Sequence, residues 1–179
     1  MDFESFRDLP GKGGGDAAGL DAQLYLVQRV QPWFRNELSR LVKAPKLQFI
    51  DSGLLMVMRG YSMARIRKDR SLLGPLLESV VYSELLKLSS WAQERIAVFH
   101  YRDRDQLEVD FVFEDAGGRV VGIEVKAAAS VSRSDFDGLE RVASAAGAHF
   151  VQGILLYGGA QTLSFAPRMR AVPLPALRA

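Results

Sequence analysis

Apolar and polar residues alternate along LYLVQRVQPWF (residues 24–34) and KLQFID (46–51), the period-two pattern of half-buried strands. The basic stretch RNELSRLVKAP joins them as a long wing or a loop, so residues 24–70 read as a basic β-wing followed by a connecting helix. Asp51 or Ser52 suits the cap of that short helix, which runs through Met58. From Gly74 the period changes. Pro75 fits a first helical turn, and PLLESVVYSELLKLSSW sets Leu77, Val81, Tyr82, Leu85 and Leu88 near one face. IAVFHYR, LEVDFVF and RVVGIEVKA then read as an antiparallel three-stranded meander, the last two strands folded about the DAGG turn at residues 115–118. A second helix is predicted over residues 134–146, capped by Ser134 and ended near Gly147. FVQGILLY reads as a buried strand, Gly158 and Gly159 as a turn, and TLSFAP with AVPL as the last strands. The order helix, meander, helix, strand predicts an α/β unit over residues 71–179, a mixed sheet flanked by helices.

Composition narrows the chemistry more than the fold. A chain of 179 residues with 48% hydrophobic and 25% charged residues suits one compact core with a small appendage. No run of about 18 apolar residues occurs, and the acidic start MDFESFRDLP lacks the basic and apolar regions of a signal peptide, so a cytoplasmic, non-membrane protein is expected. Residues 1–23 read as a flexible glycine-rich leader. Lys12 in PGKGGG lacks the spacing and flanks of a phosphate-binding loop. With no cysteine and two isolated histidines, His100 and His149, any metal must be held by oxygen.

The net charge of +2 is unevenly spread. Residues 29–70 carry ten Lys or Arg against three acids, a net of +7, and residues 71–126 carry six against ten, a net of −4. A basic segment beside an acidic one suits a protein that grips phosphates in one place and holds a metal in another, and equally suits a solvated basic surface. Arg35, Arg40, Lys43, Lys46, Arg65, Arg67 and Lys68 are the candidate nucleic-acid contacts. Trp33 and Phe34 suit a plug between wing and sheet better than a base-stacking platform, and His100 suits a core or sheet-edge position.

The acidic half holds a more specific pattern. Folding about the 115–118 turn brings Asp110 opposite Glu124, with cross-strand Cβ atoms about 4.5–5.5 Å apart. Alternation puts Glu124 and Lys126 on one face and Ile123 and Val125 on the other, in the core. Asp110 and Glu124 could share one Mg²⁺ or Mn²⁺, with Lys126 beside a reacting phosphate. The same residues also suit an ion-pair ladder on a wet hairpin face, worth only ~0.2–1 kcal/mol per pair.

Asp110 followed by Glu124, Val125 and Lys126 resembles the signature of the PD-(D/E)XK nuclease superfamily, an acid and then Glu or Asp, any residue, Lys. QPWFRN, KAPKLQFIDSGLL, GPLLESVVYSELLK, YRDRDQLEVDFVF, IEVKA, GILLYGG and AVPLPAL, in this order over about residues 24–177, are similar to the carboxy-terminal domain of prokaryotic AAA+-type ATP-binding proteins. The resemblance implies a restriction-endonuclease-like mixed sheet with an N-terminal β-wing remnant. It implies that Glu78, in the first long helix, joins Asp110 and Glu124 as a metal ligand and that Lys126 serves the attacking water. Arg141 is a weak match to a further catalytic residue. The expected function is a nucleic-acid-binding, metal-dependent nuclease of DNA, or a non-catalytic interaction module of an ATPase. The ATPase core of the resembling proteins is not in this sequence, so no ATPase activity is expected, and a separate ATPase chain is an expected partner.

Overall fold

The computed structural model describes residues 26–35 and 44–178. The expected leader, Arg40 and Lys43 lie outside them. Strand β1 (Val27–Pro32) is followed by β2 (Lys46–Phe49), two short helices, α1 (Ser52–Met58) and α2 (Met63–Lys68), and the long helix α3 (Leu73–Ser90). The meander is β3 (Ile96–Arg102), β4 (Glu108–Asp115) and β5 (Val120–Lys126). Helix α4 (Asp137–Ala146), β6 (Phe150–Tyr157), β7 (Leu163–Ala166) and β8 (Met169–Pro173) follow, and a 3₁₀ turn (Leu174–Arg178) ends the described residues.

The strands form one eight-stranded mixed sheet in the order β2-β1-β3-β4-β5-β6-β8-β7. The pairs β1 with β3, β5 with β6 and β6 with β8 are parallel, and the others antiparallel. The two strands read as a wing therefore enter the main sheet. Val27 to Val30 pair with β2, and Gln31 and Pro32 with β3, so one strand serves two ladders. Trp33, just beyond, is buried in the core, tilts against Tyr101 and donates from Nε1 to Glu114; with the wing strands inside the sheet there is no gap between wing and sheet for it to plug.

Adjacent strand residues feed opposite layers. Phe111, Ile123 and Leu156 pack with Val81, Tyr82 and Leu85 of α3. Val112, Val120 and Leu155 pack with Leu139 and Val142 of α4 on the other face. Two glycines allow that second helix to lie so close. A Cβ on Gly138 would stand 2.2 Å from the Glu108 carbonyl oxygen, and one on Gly122 would stand 2.8 Å from Leu139.

Three local expectations shift. Leu76 rather than Leu77 lies in the apolar face of α3, and Leu88 is exposed, because the buried stripe turns toward the sheet through Ser79, Tyr82 and Leu85. The cap of the second helical segment falls at Ser132, not Ser134; a 3₁₀ turn (Arg133–Phe136) precedes α4, and the Asp135 carboxylate accepts the Ser132 N–H. Helix α2 was not predicted. It opens where Ser62 accepts the Arg65 N–H, and of its six residues only Ile66 is buried.

Candidate carboxylate–lysine site

The β4–β5 ladder ends at Phe111 paired with Ile123. One step further the strands part, and side chains replace the backbone pairing. Asp110 Oδ2 accepts the Val125 N–H at 3.0 Å, and Glu124 Oε2 accepts the Asp110 N–H at 3.3 Å. Two carboxylates thus sit where ladder carbonyls would sit, each satisfying a backbone donor that the split would leave bare. The expected opposition of Asp110 and Glu124 follows from this register. Asp110 is almost fully buried, its side chain 8% exposed.

Helix α3 brings Glu78 to the same place. Its approach is fixed on both sides of that residue: Ser79 Oγ donates to the Phe49 carbonyl of β2 at 3.0 Å, and Leu76 is buried against α1 and α2 with Leu55 and Ile66. Between Glu78 and Asp110 stands one of the candidate nucleic-acid contacts. Lys46 Nζ donates to Glu78 Oε2 at 2.8 Å and to Asp110 Oδ1 at 3.1 Å. Alternation in KLQF gave no sign of this, since the contacts span 32 and 64 residues. Lys126 Nζ lies 3.2 Å from Glu124 Oε1, on the more open side.

Three carboxylates face two ammonium groups, and the crowding shifts the proton affinity of Glu78, Glu124, Lys46 and Lys126. Burial, and then the charge of Asp110, push the Glu124 carboxyl up to about 8 despite Lys126. Burial and Asp110 also raise Glu78, against the pull of Lys46. For Lys46, burial acts to lower the pKa, but the charges of Asp110 and Glu78 outweigh it and hold the ammonium more firmly protonated than a free lysine. Lys126 is raised in the same way, burial being outweighed by Glu124. The Asp135 carboxylate, unassigned from sequence, adds to the field on Lys126.

Among the described residues, no three His, Cys, Asp or Glu side chains gather as a ready metal cage. The donor chemistry nonetheless fits a hard divalent cation. All three acids offer oxygen, two already converge on one cationic nitrogen, and Mg²⁺ needs only one or two carboxylates with water completing its shell.

The other described candidates sit on or beside other elements. Arg65, Arg67 and Lys68 are exposed on α2; the Arg65 guanidinium lies over the Tyr61 ring, 5.8 Å from its centroid. Arg35 is exposed and donates to the Ala145 carbonyl at 3.4 Å. Arg141 pairs with Asp103 and Asp105 on the surface.

Residues 73–177, more than half of the chain, match the family described as a domain of unknown function, DUF4143. The chain belongs to the DUF4143 family. Its match begins with α3 and includes Glu78, Asp110, Glu124 and Lys126, while Lys46 lies in residues 22–65, which match a second domain of unknown function, DUF8612. The carboxylate site therefore draws on both matched segments. No curated protein and no solved structure matches the chain. Among the described residues no helix is long and apolar enough to cross a membrane.

Proposed function

We propose that this DUF4143 chain is a restriction-endonuclease-like, nucleic-acid-binding domain that hydrolyses phosphodiester bonds of DNA with Mg²⁺ or Mn²⁺ in the cytoplasm. The observation that carries this reading is the parting of β4 from β5, which presents Asp110 and Glu124 side by side with Lys126 paired to Glu124 on the more open side. Glu78, Asp110 and Glu124 would hold the ion. When bound, such an ion neutralises phosphate charge and lowers the pKa of a coordinated water. The chain's own contribution is positional. Asp110 is fixed by the Val125 N–H, Glu124 by the Asp110 N–H, and Lys126, paired to Glu124 but less buried than either acid, would hold a phosphate oxygen or orient water. Arg65, Arg67 and Lys68 would grip backbone phosphates as sequence-independent contacts, with Arg35 as a further cation. No ATP hydrolysis is assigned to the chain, and the AAA+ resemblance makes a separate ATPase the proposed partner.

A second reading, a non-catalytic nucleic-acid or protein interaction module, is favoured by Lys46, which pairs with both Glu78 and Asp110 without any metal. One assay separates the two. Plasmid, linear and single-stranded DNA are incubated with Mn²⁺ or Mg²⁺ and the native chain, Asp110→Ala or Lys126→Ala. Cleavage by the native chain is expected to fall at least ~100-fold in both variants, the scale on which removing a positioned catalytic group acts. DNA binding with no product from the folded native chain, unchanged by Asp110→Ala, would replace the nuclease reading with the binding module.

A further inference from the structure

We infer that Lys46 is a tethered counter-ion that occupies the Glu78–Asp110 clamp and leaves it when a divalent cation binds; the inference rests on the metal-ion reading above. Lys46 Nζ lies 2.8 Å from Glu78 Oε2 and 3.1 Å from Asp110 Oδ1, bridging two acids from separate elements. Its side chain is only 29% exposed, so this is not a loose surface pair. Mg²⁺ bonds oxygen at about 2.0–2.1 Å. An ammonium centred between the same two oxygens fills that space and repels the ion, so the two cations exclude each other.

The clamp is built to survive the exchange. Asp110 uses Oδ2 for the Val125 N–H and leaves Oδ1 to Lys46, so removing the ammonium does not release the carboxylate. The α3 turn that carries Glu78 stays in place through the Ser79 bond to Phe49 and the burial of Leu76. Lys46 opens β2, an edge strand whose ladder is with β1, and its flexible four-carbon stem can swing out without breaking a backbone bond. The lysine thus relieves the repulsion between Glu78 and Asp110 when no metal is bound, and lowers the apparent affinity for metal. If Lys46 holds the clamp for about nine-tenths of the time, apparent affinity drops ~10-fold, because only the open fraction binds.

The test is calorimetric titration of Mn²⁺ into the full native chain, Lys46→Met and Lys46→Gln, with Lys46→Met/Asp110→Asn as control. A second readout is acetylation of Lys46 in the native chain, followed by mass spectrometry with and without saturating Mn²⁺. Binding at least tenfold tighter in both single variants, lost in the double variant, is expected, together with severalfold faster acetylation of Lys46 but not of the exposed Lys87. Equal or weaker binding by the folded single variants overturns the inference. So does Mn²⁺ binding to the native chain that leaves Lys46 acetylation unchanged, which decides the matter even if the variants do not fold and leaves the metal reading standing. No Mn²⁺ binding at millimolar concentration by the native chain or by any folded variant removes the metal reading, and this inference with it.

Discussion

Asp110 has two separable tasks, one per carboxylate oxygen: Oδ2 replaces a missing ladder acceptor for the Val125 N–H, and Oδ1 holds the Lys46 ammonium. Substitutions can divide them. Asp110→Asn keeps an amide oxygen for Val125 and removes the charge, whereas Asp110→Ala leaves a partly buried N–H without its acceptor, at a cost of about 1–3 kcal/mol. Thermal and denaturant unfolding should therefore rank native above Asn and Asn above Ala, with Asn the proper folded control for loss of cleavage. Equal stability of the Asn and Ala variants would show that the Val125 bond carries no weight. The pairing of Asp110 with Glu124 was legible in the sequence because a short turn fixes hairpin register. Lys46 was not, because nothing local distinguishes a lysine that points at water from one that meets two acids far along the chain.

At the scale of elements, α3 is held to the sheet by more than its apolar stripe. The Tyr82 hydroxyl donates to Gln28 of β1 at 2.7 Å, and its ring stacks on Phe111 of β4, next to Asp110. Burial raises the Tyr82 phenol to about 12, above its ordinary 10. Below pH 10 it is neutral in both the folded and unfolded chain and adds no pH dependence. Between about 10 and 12 the unfolded chain releases the proton that the folded chain keeps, so stability falls as pH rises. Tyr82→Phe loses the Gln28 bond and should be less stable by about 0.5–1.5 kcal/mol at pH 7 to 9. That gap should close or reverse by pH 11, measured by denaturant unfolding, and a gap constant with pH would refute the account. The period of α3 and the alternation of β3 to β6 were readable because each is long enough to show its repeat. Helix α2 is not legible in the sequence because six residues with one buried anchor, Ile66, carry no repeat.

At the scale of the whole molecule, strand order was the least legible property. Parallel pairs such as β1 with β3 are set by packing across the core, and no turn residue announces them, so a hairpin read as a wing became the edge of the main sheet. That placement also gives the uneven charge a geometry. The α1–α2 segment packs through Leu55 and Ile66 against Leu76, two residues before Glu78, so this basic segment sits at the same end of α3 as the carboxylate site. Arg65, Arg67 and Lys68 are all exposed there, and each duplex phosphate neutralised should add about −0.9 to the slope of log K against log salt. A variant with all three changed to alanine keeps Ile66 as anchor and gains helix propensity, so its fold should hold. Its duplex affinity should fall and its slope should flatten by about 2–3, in titrations of labelled DNA between low and physiological salt. Asp110→Asn, which leaves the basic segment untouched, should keep the native slope. If the triple variant also keeps that slope, the basic segment is a solvated face and the phosphates are gripped elsewhere; if only the triple variant loses it, the two charge regions divide the work, one holding nucleic acid and the other acting on it.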